Sequence, residues 1–240
     1  LDAYADEIQV DYSAIFGEQV LAERKSAKSS PIRIKMRIFK DDYFKRARNM
    51  LAHIHRGDIY EANFCQEFYA KDTVIDPLSI YWKLNAISQP PFAVFLRQGT
   101  NFLLCASPER FLKKNGNQLI SQPIKGTAKR DKDPKKDAVL VEKLKNDEKE
   151  RAENIMIVDL VRNDLSKSAV KGSVQVEKLC EVISYRQVHQ MVSTISAVAV
   201  PEADPVDLIQ ESFPMGSMTG APKVSAMKII EELESFKRGL

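Results

Sequence analysis

The chain has 240 residues, which is enough for one large domain or two modest ones with a sizeable core. Apolar residues make up 44% of it and charged residues 29%, as in ordinary globular proteins, and the net charge of +3 gives no reason to expect nucleic acid as a partner. No apolar run approaches the roughly 20 residues that span a bilayer, and the first residues lack an export signal. We therefore expect a cytoplasmic protein with no nucleic-acid and no membrane partner, and its three scattered cysteines are typical of reduced thiols.

The first third of the chain is predicted to alternate between strands and helices. In order, the spacing of apolar residues predicts a polar segment with a linker over 1–31, a strand over 32–38, a helix from Asp41 to Gly57, a strand over 59–70 and a helix over 77–86. Asp41 and Asp76 are predicted helix caps, because an aspartate side chain accepts hydrogen bonds from free helix N–H groups. Tyr60, Phe64 and Phe68 are expected on one face of the second strand.

The rest of the chain indicates two hairpins, followed by helices and two long strands. The hairpins are predicted to join 92–97 with 101–106 and to turn at Asn115–Gly116. The later elements are, in order, a helix over 134–164, strands over 174–183 and 188–200, a short helix after Asp204 and a helix from about Gly220 to Phe236. This order predicts an α+β fold with mixed, largely antiparallel sheets flanked by helices.

The stretch Pro123–Arg130 contains Lys125 among residues that are expected to form a turn, with Lys129 and Arg130 close behind. A lysine amine becomes a nucleophile when desolvation or neighbouring cations lower its pKa well below about 10.4. The stretch is therefore a candidate site for an anionic small molecule, with Lys125 as a reactive amine. The alternative is an ordinary solvated loop lysine.

Three acidic residues are candidates for chemistry beside Lys125. Glu109 precedes it by 16 residues across a predicted hairpin, so the two side chains can converge and Glu109 can serve as a general acid. Glu150 and Glu153 share one helix face, where Mg²⁺ can offset the repulsion between their charges. The alternatives are a surface pair of Glu109 with Arg110 and a solvated acidic helix face.

His189 and the segment Gly216–Lys223 complete the candidates. His189 lies on a predicted strand, where it is either a buried core residue or a hydrogen-bond donor or proton carrier for a substrate. In Gly216–Lys223 a turn leads into a helix, whose first N–H groups can bind an anion; simple helix capping is the alternative. Lys223 adds a cation in the first helical turn, where the helix dipole disfavours it.

Taken together, these stretches resemble the chorismate-utilising enzymes, the family of anthranilate, aminodeoxychorismate, isochorismate and salicylate synthases. The matching blocks keep the family's order and are Gly57–Asn63, Ser107–Phe111, Pro123–Thr127, Glu153–Asp164, Val188–His189 and Gly216–Lys223. The lysine in the third block (PIKGT, against PIAGT in the other branches) favours the branch that aminates chorismate at C4. The resemblance implies the family's αββα layered chorismate-binding fold over residues 32–240.

The resemblance also implies a role for each candidate residue. Lys125 attacks C2 of chorismate while Glu109 acts as general acid and base, with His189 near the C4 oxygen. Ammonia from a glutamine amidotransferase subunit then adds at C4, and the product, 4-amino-4-deoxychorismate, serves p-aminobenzoate and folate synthesis. The metal implied is Mg²⁺, on Glu150 and Glu153. The residues implied to contact substrate are Gly126, Thr127, Thr219, Gly220 and Lys223.

The chain departs from the family's pattern in two ways. Met215 stands where the family often has glycine, and the family's later strands, with an Ile-Arg-Thr segment, and its final helix do not follow before Leu240. We therefore expect a catalytic domain that lacks these elements and is incomplete at both ends. The competing hypotheses are an anthranilate or isochorismate synthase of the same family and a non-catalytic relative.

Overall fold

The computed structural model describes residues 32–239, so the polar segment predicted over 1–31 lies outside the described residues. The helices found there are α1 Lys40–Arg56, α2 Pro77–Ser88, α3 Pro134–Lys145, α4 Glu148–Ser166, α5 Pro205–Ser212 and α6 Lys223–Leu233. The strands are β1 Lys35–Met36, β2 Glu61–Ala62, β3 Phe68–Tyr69, β4 Phe92–Gln98, β5 Asn101–Ser107, β6 Arg110–Asn115, β7 Gln118–Gln122, β8 Ile124–Lys129, β9 Gln175–Ser184, β10 Val188–Val198 and β11 Gly220–Ala221. A 3₁₀ turn covers Gly216–Met218. None of these helices is long and apolar enough to cross a membrane.

A five-stranded antiparallel sheet forms the centre of the fold. Its strands run in the order β6, β7, β10 and β8, and β9 also pairs with β10. Three two-stranded pairs, β1 with β3, β2 with β11 and β4 with β5, are antiparallel as well. The predicted α+β class, with largely antiparallel sheets flanked by helices, is confirmed.

Helix α4 packs on one face of this sheet because apolar side chains recur on both elements. Ile157, Val161 and Leu165 follow one another at four-residue spacing on α4, and they pack with Leu119 of β7 and Ile195 of β10. All five are buried, and burial of such a side chain stabilises a fold by about 1.5–3 kcal/mol. The packing fixes the first turns of α4 beside β8.

A second core joins α1 to α6. Met50 of α1 packs with Ala226 and Ile230 of α6 and with Ile59, which lies just before β2. Because β11 directly precedes α6 and pairs with β2, this core also fixes the position of β2.

The segment predicted as one strand over 59–70 forms only the two short strands β2 and β3. Its middle is held by a side chain, since the Cys65 N–H donates to the Glu234 carboxylate at 2.8 Å. This contact replaces a strand ladder, so the alternation of faces is lost. Two of the aromatic residues expected to share a face, Tyr60 and Phe68, are exposed.

The helix predicted over 134–164 is divided into α3 and α4 at Asn146–Asp147. The Asp147 side chain accepts a hydrogen bond from Glu150 N at 3.0 Å and so caps a new helix. Residues Glu150 onward therefore begin a separate helix whose axis is set by its own packing on the sheet.

Other boundaries also differ from prediction. Strand β1 is shorter than 32–38, and Asp41 lies inside α1, which begins without a side-chain cap. Helix α6 ends before Phe236, because the backbone is already extended at Glu234. The Pro123–Arg130 stretch, expected as a turn, contains strand β8, because its backbone pairs with β10.

Several local predictions are confirmed. Asp76 and Asp204 accept hydrogen bonds from the first N–H groups of α2 and α5, and a proline follows each of them in the first turn. Both predicted hairpins form, as β4 with β5 and as β6 with β7.

Candidate active site

Lys125 lies on β8, where the strand is irregular. The register between β8 and β10 shifts opposite Lys125 and Gly126, and Gly126 has a positive φ of 97°. The Lys125 side chain is 18% exposed, and its Nζ lies 3.3 Å from Glu61 Oε1 of β2. Lys125 is therefore a largely buried strand residue beside a carboxylate, and not a solvated loop lysine.

The cations expected to surround Lys125 are placed elsewhere. Arg130 donates to both oxygens of Asp137, and it also donates to the Tyr185 backbone oxygen at 2.6 Å. Lys129 is exposed at the end of β8. The charged neighbours of Lys125 are thus acidic, which sequence reasoning did not anticipate.

Glu61 is the first of these acidic neighbours. Its side chain is 15% exposed, and burial raises the pKa of its carboxyl, with Lys125 opposing that effect and the charge of Glu153 adding to it. Oε1 accepts no hydrogen bond from the described residues, so its pairing with Lys125 is electrostatic. The side chain is held out of water without a full set of partners, which is typical of a binding site.

Glu109 lies in the turn between β5 and β6 and reaches the start of β8. Its Oε1 accepts hydrogen bonds from Ile124 N at 3.0 Å and from Ser217 Oγ at 2.6 Å. Burial raises the pKa of Glu109, and the bonds from Ser217 and Ile124 and the charge of Lys125 partly offset the effect. A carboxyl that holds a proton in this way is suited to general acid catalysis. We refer to Glu61, Glu109 and Lys125 as the Lys125 cluster.

The two glutamates of α4 lie against the same strand. A Cβ at Gly126 would stand 3.2 Å from both Cβ and Oε2 of Glu150, so only glycine allows this approach of α4 to β8. Glu153 Oε1 lies 3.4 Å from Lys149 Nζ. Asn154 Nδ2 donates to Lys125 O at 3.1 Å and thereby ties α4 to the strand that carries the lysine.

No group of three or more His, Cys, Asp and Glu side chains able to hold a metal occurs within residues 32–239. Mg²⁺, however, is commonly held by one or two carboxylates, with waters and substrate oxygens completing its shell. Glu150, seated in the space that Gly126 leaves free, and Glu153, one turn further on, supply that kind of donor set. The residues present fit Mg²⁺.

His189 is fully buried and both of its ring nitrogens have protein partners. Nδ1 lies 2.7 Å from Ser184 Oγ, and Nε2 lies 2.8 Å from Asp137 Oδ1. The pKa of Asp137 is held well below its usual range, first by Arg130, then by the Asp131 N–H and also by His189. With both nitrogens engaged, His189 joins β10 to α3 and has no ring atom left for a substrate.

The residues from Gly216 to Gly220 form a tightly held turn beside the cluster. Thr219 Oγ1 donates to Met215 O at 3.2 Å, which closes the turn on itself. Gly220 pairs with Ala62, and a Cβ at Gly220 would lie 2.2 Å from Glu61 O. The turn therefore sets the position of β2. Thr127, also implied as a substrate contact, is exposed on β8 opposite Gln190.

Lys223 is buried in an ion pair instead of facing a bound anion. Its Nζ donates to Asp164 Oδ2 of α4 and, at 2.9 Å, to Ser212 O of α5. Burial lowers the pKa of Lys223, and Asp164 opposes the effect. This pairing explains how a cation is accommodated in the first turn of α6.

The structure thus brings Lys125, Glu109 and the two α4 glutamates around one strand, and it places His189 and Lys223 in separate buried networks. Glu61 and Ser217 are functional candidates that sequence reasoning missed as individuals. Both lie within the family blocks, Gly57–Asn63 and Gly216–Lys223, which was the available signal.

Comparison with known proteins gives a consistent result. The sequence pattern of the chorismate binding enzymes matches residues 3–240. Aminodeoxychorismate synthase component 1 of Escherichia coli (strain K12) is 42% identical over 199 residues, which is 83% of this chain and 44% of the relative. Anthranilate synthase component 1 of Thermus thermophilus is 37% identical over 200 residues, covering 83% of this chain and 43% of the relative.

A solved structure supports the same assignment. Anthranilate synthase component I from Streptococcus pneumoniae TIGR4 superposes with a TM-score of 0.79 at 30% identity, over 96% of this chain and 53% of that one. The chain spans less than half the length of the two curated relatives. The match over nearly its whole length confirms the resemblance seen in the six sequence blocks, and the chain belongs to the chorismate binding enzyme family.

Proposed function

We propose that the protein is component I of aminodeoxychorismate synthase, a transferase that converts chorismate and ammonia to 4-amino-4-deoxychorismate. The observation that carries this proposal is the Lys125 cluster, in which a largely buried amine lies beside one carboxylate and near a second that is suited to hold a proton. The 42% identity to a relative named for this activity supports it.

In the first step, the neutral amine of Lys125 forms a bond to C2 of chorismate. Glu109 gives a proton to the C4 hydroxyl, the C4–O bond breaks, and the hydroxyl leaves as water while the ring double bond shifts. In the second step, ammonia forms a bond to C4, the bond between C2 and Lys125 breaks, and the double bond returns to its place. Glu109, now ionised, takes up the proton that ammonia gives up, so the enzyme ends as it began.

Glu150 and Glu153 would hold Mg²⁺, which when bound neutralises a carboxylate of the substrate. The chain's own contribution is to keep both glutamates beside β8, through the open space at Gly126 and the Asn154 bond to Lys125 O. This arrangement orients the substrate ring over the lysine.

The remaining parts of the proposal follow from the activity. A glutamine amidotransferase subunit supplies ammonia, as the designation component 1 of the relative suggests. The product serves p-aminobenzoate and folate synthesis, and we place the reaction in the cytoplasm.

Replacement of the nucleophile tests the proposal. In the complete protein supplied with chorismate, ammonia and Mg²⁺, we expect Lys125→Ala to lose aminodeoxychorismate formation, measured by chromatography of the products. Lys129→Ala, which removes an exposed lysine from the same strand, should keep the wild-type rate. Full activity of Lys125→Ala would contradict the nucleophile. Anthranilate or isochorismate as the wild-type product would assign the protein to another branch, and no turnover of chorismate would indicate a non-catalytic relative.

A further inference from the structure

Both hydrogen bonds that Glu109 accepts go to the same oxygen. Ser217 Oγ and Ile124 N donate to Oε1 at 2.6 and 3.0 Å, and no hydrogen bond from residues 32–239 reaches Oε2. A donor that points at a carboxyl oxygen disfavours a proton on that oxygen. The proton of Glu109 therefore belongs on Oε2.

Ser217 is itself held firmly in place. It is buried in the 3₁₀ turn, and its backbone oxygen accepts a hydrogen bond from Asn63 Nδ2. Arg238 donates to Met218 O at 2.6 Å, on the next residue of the turn. At Gly216, on the other side, a Cβ would run into α4. The hydroxyl is thus aimed by a fixed backbone and not by a mobile loop.

Few other groups compete with Ser217 for control of Glu109. From β8, Lys125 contributes charge and Ile124 contributes its N–H; Arg110, the next residue along, is turned to the ring of Phe92. The elements β4 and α5 add apolar side chains on the remaining side. Among the groups that lower the pKa of Glu109 against the effect of burial, Ser217 has the largest influence.

We propose that Ser217 is a positioning residue for Glu109, whose hydroxyl holds Oε1 so that Oε2 is the atom that delivers the proton to the leaving C4 hydroxyl. The inference rests on the proposed function: one proton passes from Oε2 to the hydroxyl, the C4–O bond breaks, and the bond from Lys125 to C2 forms. Without the Ser217 hydroxyl, the two oxygens of Glu109 become more alike and the ionised carboxylate loses its strongest donor.

The test is the pH profile of Ser217→Ala in the complete protein. A hydrogen bond to a charged group is worth enough to change a pKa by about one to two units, so the limb of the kcat profile on which Glu109 loses its proton should move to higher pH by that amount. Ser217→Thr, which keeps a hydroxyl, should move the limb back toward wild type. Ser212→Ala is the matched control, because this buried serine donates only to Leu208 O of its own helix.

A second measurement does not depend on turnover. In protein labelled with carboxyl-¹³C glutamate, the Glu109 signal, assigned by its loss in Glu109→Gln, should titrate at higher pH in Ser217→Ala than in wild type. Identical titration of Glu109 in the two proteins, with aminodeoxychorismate still formed, would overturn the role of Ser217 alone. Shifted titration in a protein that forms no aminodeoxychorismate would keep the Ser217 contact and overturn the proposed function.

Discussion

The Nζ of Lys125 on β8 lies 3.3 Å from Oε1 of Glu61 on β2, although the two residues belong to different sheets. Strand β2 reaches this position because it pairs with β11, whose Gly220 admits the Glu61 backbone so closely that no side chain would fit there. The pairing matters chemically, since the nucleophile must be a neutral amine and a carboxylate within reach can hold the proton that it gives up.

The first prediction concerns that carboxylate. Burial raises the pKa of Glu61, which makes it a better proton acceptor than an exposed glutamate. We expect Glu61→Gln to lower kcat for aminodeoxychorismate formation by about 10²-fold, the usual contribution of one acid–base group, with a smaller change in KM. Glu67→Gln, which neutralises an exposed carboxylate paired with Arg37, should keep the wild-type kcat. An unchanged kcat in Glu61→Gln across the pH range would rule out this role.

The second prediction is that Glu109 makes folding stability depend on pH. Burial raises its folded-state pKa above the unfolded value of about 4.3, so the stability from this carboxyl is fully present below about pH 4 and is lost as the pH rises through the folded pKa. Glu109→Gln should therefore be more stable than wild type near pH 7, by about 1.4 kcal/mol per unit of pKa difference, and lose this advantage toward pH 4. Urea unfolding at a series of pH values measures the difference.

The control for Glu109 has the opposite sign. Arg37 lowers the pKa of Glu67 through a hydrogen bond, so the stability from Glu67 is present above its unfolded pKa and is lost as the pH falls. Glu67→Gln should reduce stability near neutral pH or leave it unchanged. If Glu109→Gln behaved in the same way, burial would not dominate the pKa of Glu109.

The third prediction separates a structural from a substrate-binding role for Lys223. Its ammonium and the Asp164 carboxylate are 10% and 7% exposed, and breaking such a buried pair is costly, so Lys223→Met should lose about 3 kcal/mol of unfolding free energy. Lys167→Met removes the other partner of Asp164, which is 45% exposed, and should lose less than about 1 kcal/mol. Denaturant unfolding measures both. A raised KM for chorismate in Lys223→Met at unchanged stability would instead assign Lys223 to the substrate.

The sequence was informative wherever a local pattern decides the structure. Asp76 and Asp204 cap their helices as predicted, because a cap and a following proline act within one turn. The family blocks also bring Glu109 to the start of β8. Long-range partners were not readable: the acceptor for the Cys65 N–H lies 169 residues away at Glu234, and His189 is enclosed by Asp137, 52 residues earlier in the chain. Periodicity cannot anticipate such contacts, since they depend on how helices pack on the sheet.

The fourth prediction tests the close approach of α4 to β8. Gly126 has φ of 97°, and an added Cβ would lie 3.2 Å from Glu150 and from Met191, so Gly126→Ala combines backbone strain with crowding. We expect it to lose about 1–3 kcal/mol of stability, and we expect the Mg²⁺ concentration for half-maximal activity to rise because Glu150 is displaced. Gly116→Ala is the matched control, with positive φ but open space around it; it should lose about 1 kcal/mol and keep its Mg²⁺ dependence. Equal effects of the two substitutions on stability and on Mg²⁺ dependence would show that the space at Gly126 does not seat Glu150 for the metal.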